Sequence, residues 1–259
     1  MNIRRFIYII FLCMIIFNII SCCYCLNNEE KEALNYLKLK KEGIYGIEDY
    51  EKNVYKGLGF YKSKIKDDDL KIISKLINIE ELAINEKSIT DEGIKSLRNL
   101  KKLKKLTLLN TQLTDAGMKY IGQLENLETL DISQTKVTDE GLKYLQGLKK
   151  LNKLILSDTT ITGEGFKYIN RLSNLEEIAA ARTRLQDDNL KHLIGMKLTV
   201  LTLAGNEGIT DGAIKYLIKI GSLEELVIFD TKISNEGIRE LEKALPNCAI
   251  WDKRINNDM

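Results

Sequence analysis

One proline, one histidine and one tryptophan occur in 259 residues, and these scarcities close several lines of interpretation. His192 has no second histidine to join it. Four of the five cysteines, Cys13, Cys22, Cys23 and Cys25, crowd the first 25 residues, and Cys248 stands alone near the other end. No zinc-ligand spacing and no nucleophile-base pair can be assembled from such a set, so no catalytic residue, metal or cofactor is expected. Pairing between Cys248 and the N-terminal cysteines would span the length of the chain, so the fold is not expected to rest on disulfides. An excess of charge is also missing. The chain has 39 basic and 37 acidic residues; without residues 1–21, which hold Arg4 and Arg5 and no acid, the balance is 37 to 37. A neutral surface argues against nucleic acid as the main partner, because phosphate binding needs clustered cations. No Asn-x-Ser/Thr sequon is present.

What the chain does have is a period. An anchoring leucine or isoleucine falls at Leu58, Leu82, Leu106, Leu130, Leu154, Ile178, Leu201 and Leu226, so the spacing is 24 for five steps, then 23, then 25. In the copy around Leu130, the residues Leu127, Leu130 and Ile132 end in the alternation of a short strand with one face inward. A polar turn follows. Then come Val137, the pair Thr138 and Asp139, Gly141, and Leu142, Leu145 and Leu148, whose spacing of three keeps them on one face of a short helix. One such unit cannot bury its aliphatic side chains alone; stacked units share one continuous core.

The phrase T-x-I-T-D-x-G-L-K-x-L, read from Thr135 to Leu145 with Val137 in the third place, and the LPNC ending over residues 245–248 resemble bacterial leucine-rich repeats related to the cysteine-containing subtype. The resemblance covers roughly residues 55–251. It implies an α/β fold: a right-handed leucine-rich repeat solenoid with a parallel concave sheet, helices on the convex side and an N-terminal helical cap. Within it we expect one divergent repeat, seven regular ones with strands near 81–85, 105–109, 129–133, 153–157, 177–181, 200–204 and 225–229, and a C-terminal cap. Pro246 should stop the last helix, with Ile250 and Trp251 covering the far edge of the core and residues 252–259 forming a tail. Where the subtype has cysteine, this chain has Thr111, Thr135, Thr159, Thr183 and Thr231, whose hydroxyls can make the same inward backbone bonds.

Residues 1–21 carry Arg4 and Arg5 followed by an apolar run from Phe6 to Ile20, shorter than a membrane span requires, and read as an export signal. Ile19, Ile20, Ser21 and Cys22 resemble a bacterial lipobox. The resemblance implies acylation of Cys22 and cleavage before it, giving a lipoprotein anchored in the cell envelope. Ordinary cleavage near Cys25, which would release a secreted protein, and an uncleaved anchor are the alternatives. Residues 22–54 then form a linker and a capping helix from Asn28 to about Gly46, with Ala33, Leu34, Leu37 and Leu39 as its apolar members.

Function has to be sought where the core does not dictate residue type. His192 takes the place of Tyr120, Tyr144, Tyr168 and Tyr216 in a ladder of half-buried rings. Asp91, Asp115, Asp139 and Asp211 read as helix N-caps rather than cation ligands, and Gly93, Gly117, Gly141, Gly165 and Gly237 as close-packing positions rather than a phosphate loop. Lys95, Lys119, Lys143, Lys167, Lys191 and Lys215 form a basic file on the convex side, a solvated face or a contact for anionic polymers or headgroups. On the concave sheet, the outward positions Ile155, Ala179, Ala181, Val200, Ala204, Val227 and Phe229 make a small-to-apolar patch rimmed by Asp158, Arg182 and Asp230. An apolar area ringed by charge suits another protein or a peptide, bound by a monomer. β-propensity alone would also place valine and isoleucine there. The alternatives in function are a secreted or surface-displayed effector or adhesin acting on host proteins, and a passive envelope scaffold.

Overall fold

The computed structural model describes residues 27–40, 44–45 and 57–253. The export segment, Cys22, Tyr55 and the end of the tail lie outside the described residues. Ten strands form a single sheet in chain order: β1 Ile44–Tyr45, β2 Gly57–Tyr61, β3 Glu81–Asn85, β4 Lys105–Leu109, β5 Thr129–Asp131, β6 Lys153–Ile155, β7 Glu177–Ala179, β8 Val200–Thr202, β9 Glu225–Val227 and β10 Ala249–Trp251. β1 runs antiparallel to β2, and every later pair is parallel. The anchors stack in register, Leu58 on Leu82, then Leu106, Leu130, Leu154, Ile178, Leu201, Leu226 and Ile250. The 23- and 25-residue coils keep this register, because a one-residue slip in a strand would turn its buried leucines to solvent. Their length changes fall in turns instead, between Met196 and Leu198 and between Asn206 and Ile209.

The return segments are helical, some α and some 3₁₀, on the same apolar spacing of three. Asp115–Ile121 is α-helical, whereas Asp139–Gly147 and Asp187–Leu193 are 3₁₀ helices. Leu142, Leu145 and Leu148 stand three apart, and a helix with three residues per turn aligns such positions. All three are fully buried. In the turns the threonine hydroxyls behave as expected: Thr111, Thr135, Thr159, Thr183 and Thr231 donate to the carbonyls of Leu108, Ile132, Leu156, Ala180 and Ile228, at 2.6 to 3.1 Å. In the seventh regular repeat's predecessor Asn206 does this work, donating to Leu203 O at 2.8 Å and to Ala180 O at 2.7 Å.

The aspartates do something the N-cap reading did not anticipate. The caps are Thr90, Thr114, Thr138, Thr210 and Ser234. Each aspartate reaches forward to the next coil. Asp91 accepts from Thr114 N–H at 2.8 Å and from its hydroxyl at 2.5 Å, and Asp67, Asp115 and Asp187 treat Thr90, Thr138 and Thr210 alike. Asp139 accepts from Thr162, and Asp211 from Ser234 N–H. The recurring glycine makes room for that carboxylate: a methyl group on Gly93 would lie 2.3 Å from Asp67 Oδ1, and one on Gly117 would lie 2.3 Å from Asp91 Oδ1.

Both ends differ from expectation. The capping helix, α1 Asn28–Lys40, stops short of Gly46, and Ile44 and Tyr45 form β1 instead. Its first turn is closed reciprocally, Asn27 N–H to Glu30 Oε2 at 3.1 Å and Glu30 N–H to Asn27 Oδ1 at 2.8 Å, a capping box. Ala33, Leu34 and Leu37 are buried against the first coil, whereas Leu39 is 84% exposed, since it lies beyond the last residue of the packed stripe. At the other end Ile250 packs on the core, but Trp251 does not cover it: alternation along β10 turns the ring to the outer wall, where it is 40% exposed.

Candidate functional site

Strand alternation buries Leu226 and Ile228 and leaves Glu225, Val227 and Phe229 half-buried on the wall, and every coil repeats this arrangement. Strand pairing sorts the outward residues into files that cross the sheet. The middle file runs Ala83, Thr107, Asp131, Ile155, Ala179, Thr202, Val227 and Trp251. Ile155, Ala179 and Val227 of the expected patch therefore share one line, which Trp251 extends to the last strand. The flanking file runs Glu81, Lys105, Thr129, Lys153, Glu177, Val200, Glu225 and Ala249. Its charges pair between neighbouring strands, Lys105 with Glu81 at 2.8 Å and Lys153 with Glu177 at 2.6 Å.

Ala204 and Phe229 are half-buried on the other side of that line, one residue short of the turn. Ala181 is an exception. It is only 8% exposed, because its single methyl sits where the chain already curls toward Arg182, and its N–H donates to Ser157 Oγ at 3.2 Å. Ala181 is part of the floor and offers a partner little surface.

Asp158, Arg182 and Asp230, the expected charged rim, share an unusual backbone. Asn110, Gln134, Asp158, Arg182, Gly205 and Asp230 all have φ between 50° and 71°, a left-handed conformation uncommon outside glycine. Its recurrence coil after coil makes it a property of the turn. Arg182 clasps Asp158 through both nitrogens of one edge, Nε to Oδ1 and Nη2 to Oδ2, each at 2.7 Å. That guanidinium holds the Asp158 carboxyl below the usual carboxylate range. Lys253 closes Asp230 in the same way, at 2.8 Å to both oxygens. The rim charges are thus spent on one another, leaving the apolar file as the feature with unmet contacts.

Near the N-terminal end the wall has a shallow depression of about 300 Å³ lined by Gly57, Gly59, Ala83 and Thr107, with Glu81 and Lys105 at its edge. It exists because Gly57 and Gly59 stand where every other coil carries a larger side chain.

The convex face is internally compensated. Lys95, Lys143 and Lys167 pair with Glu92, Glu140 and Glu164 of their own coils at 3.0, 3.1 and 3.8 Å, and Lys215 pairs with Asp188 of the preceding coil at 3.5 Å. Lys119, Lys143, Lys167 and Lys215 also lie 4.7 to 5.3 Å above the rings of Tyr120, Tyr144, Tyr168 and Tyr216. Four of the six lysines are thus paired, and Lys119 and Lys191 have no ion pair among the described residues. The rings reach back one coil: Tyr168 Oη donates to Glu140 at 3.2 Å and Tyr216 Oη to Asp188 at 2.6 Å. His192 takes the tyrosine position, but its Nε2 lies 3.7 Å from Glu164, too far to bond, and has no hydrogen-bond partner among the described residues. Burial and the Lys191 charge push its pKa down. Among the described residues no cluster of histidine, cysteine, aspartate or glutamate is arranged to hold a metal ion.

A family model described as a leucine-rich repeat matches residues 123–145, one coil of the stack. Among solved structures the chain is similar to internalin C2 of Listeria monocytogenes, with 23% identity and a TM-score of 0.57 over 79% of this chain and 84% of that one. An internalin (inlF) of the same organism aligns with 20% identity and a TM-score of 0.49 over 74% and 66% of the two chains. The fold is a leucine-rich repeat solenoid. A comparison with curated proteins gives no match. In this solenoid one wall residue escaped the sequence reading. Trp251 could have been found by carrying the period one step past Leu226, which lands on Ile250 and makes its neighbour an outward residue. Glu225, outward-facing as strand alternation requires, has Val200 and Ala249 on its two sides, whereas the other charged members of its file each adjoin at least one polar or charged neighbour.

Proposed function

We propose that this chain is a non-catalytic protein-binding solenoid that receives its partner on the C-terminal half of the concave wall. The observation that supports this is the apolar file Ile155, Ala179, Val227 and Trp251, solvent-facing and continuous except for Thr202. Core packing does not require it, since these side chains point away from the leucines. Apolar area flanked by charged residues already paired with each other is the composition of an interface centre. Asp158, Arg182, Val200, Ala204, Phe229 and Asp230 border it.

A photo-crosslinking residue at position 227 or 155, in cells, should trap a discrete adduct that the same residue at convex position 144 does not. Val227→Asp should abolish the position-155 adduct without changing the circular dichroism. Equal adducts from both faces, or none from the wall, would overturn the reading. In the same proposal Cys22 carries lipid and holds the solenoid at the envelope membrane; no helix among the described residues is long and apolar enough to cross one. Mass spectrometry of the mature amino terminus tests this part: a diacylated Cys22 supports it, and an unmodified terminus near Cys25 replaces the lipoprotein with a secreted protein.

A further inference from the structure

An unpaired acidic charge stands beside the apolar file. In the flanking file Glu81 and Glu177 are matched by lysines one strand away. Glu225 has Val200 and Ala249 as its neighbours, and its carboxylate has no ion-pair or hydrogen-bond partner among the described residues. It is half-buried, two residues from Val227, and close enough to Cys248 to add to the rise that burial causes in that thiol's pKa. Glu176 and Glu224, exposed just before β7 and β9, have no side-chain partner either. On the opposite side the cations Arg182 and Lys253 are held by Asp158 and Asp230. A visitor to this half of the wall meets unpaired carboxylates along one edge and an apolar line in the middle. A half-buried carboxylate among apolar neighbours gains most from a cation that arrives with its own apolar flank.

We propose, resting on the protein-binding reading above, that the occupant is an extended segment of a partner protein with lysine or arginine alternating with apolar residues. Its apolar side chains lie along Ile155, Ala179, Val227 and the Trp251 ring, and a cation meets Glu225. The four strand steps from Ile155 to Trp251 span about 19 Å at the usual strand separation, the reach of about six extended residues. Alternate side chains of such a segment face one way, so one face supplies the apolar contacts while a flanking residue reaches the acidic edge.

Trp251 is the only tryptophan in the chain, so intrinsic emission reports on this place and no other. The experiment titrates the full-length chain, in nonionic detergent, with the peptide acetyl-Lys-Leu-Lys-Leu-Lys-Leu-amide and with its glutamate counterpart. The lysine peptide should shift Trp251 emission saturably and lose the effect in high salt; the glutamate peptide should not. Glu225→Gln should weaken the apparent affinity about tenfold, the effect of a lost charge-assisted pair, and Glu225→Lys should abolish it, with circular dichroism unchanged in both. Equal shifts from both peptides, or a lysine-peptide shift that survives Glu225→Lys, overturn the proposal. So does emission that varies with protein concentration, which would place a second copy on the wall, or that changes on deleting residues 254–259, which would place the chain's own tail there. A position-227 crosslink with no response to the lysine peptide would overturn the basic class alone and leave the protein-binding reading intact.

Discussion

The pairing of Asp67 with Gly93 shows what a single position does in a repeat. The carboxylate of one coil holds the cap threonine of the next, and the glycine two residues past the following aspartate leaves space for it. An aspartate at N-cap spacing is ambiguous from sequence because its partner is 23 residues away. If the glycine is there for the carboxylate, its cost should depend on the carboxylate. Gly93→Ala should destabilise the fold by about 2 kcal/mol by pressing a methyl on Asp67. Asp67→Ala should cost about 1 to 3 kcal/mol by leaving Thr90 unsatisfied. The double variant should fall short of their sum by about 1 kcal/mol or more, within the range of coupled neighbours; additivity in urea titrations would sink the account. His192 offers the opposite case, a ring in a tyrosine's place without the tyrosine's bond. Its pKa is pushed below 6.5 in the folded protein, so the folded state binds fewer protons than the unfolded chain. The stability it contributes is complete above pH 6.5 and declines as pH falls through the folded pKa. His192→Tyr should flatten that acid-side decline and raise the melting temperature at pH 5 more than at pH 8; a parallel shift at both would refute the assignment.

At the scale of the coil, one junction departs from the rest. The aspartate position of the coil with anchor Leu154 holds Gly163, and the next coil, with anchor Ile178, has Gln186 for the cap threonine and Asn189 for the glycine. All three partners are missing together. Asn189 instead donates back to Thr162 O at 3.1 Å, into space that a carboxylate's partner glycine would have left open. This leaves one bond, against two at the junctions held by Asp67, Asp91, Asp115 and Asp187, so opening should begin here before it does at those. Amides of residues 183–193 should exchange with deuterium faster than their counterparts at 135–145. Asn189→Ala, which removes that one bond, should speed exchange of residues 183–193 further, and unchanged rates in that variant would remove the idea. The same comparison explains what was legible beforehand. Strands β3 to β9 and the buried leucines follow from spacings within one coil, which a single repeat displays. The clasps between coils, the 3₁₀ character of Asp139–Gly147 and the exposure of Trp251 depend on what lies one coil away. Of the proposed patch, the outward placement of Ile155 and Val227 is readable from alternation alone, whereas the shielding of Ala181 depends on the curl of the following turn.

An open stack of coils has two ends, and the molecule solves them differently. At the far end β10 continues the sheet and leaves its tryptophan on the wall. At the near end α1 lies across the first coil, burying Ala33, Leu34 and Leu37, and polar bonds fix its position: Tyr36 Oη donates to Asp69 at 2.6 Å and Asn78 Nδ2 to Glu30 at 2.9 Å. Both contacts bridge to the return segment of the first coil rather than to β2, so the helix acts as a lid on the leucine layers while β1 occupies the sheet edge. Two separate liabilities are covered, an apolar layer by α1 and an unpaired strand by β1. They should therefore fail separately. Leu34→Asp with Leu37→Asp should lift the helix and expose the ends of Leu70 and Ile73, giving a chain that keeps its C-terminal coils but self-associates and melts from its N-terminal coils. Size-exclusion chromatography and exchange of amides 67–79 would show both effects. If the double variant stayed monomeric with those amides still protected, the first coil would be self-sufficient and α1 no more than a passenger on the stack.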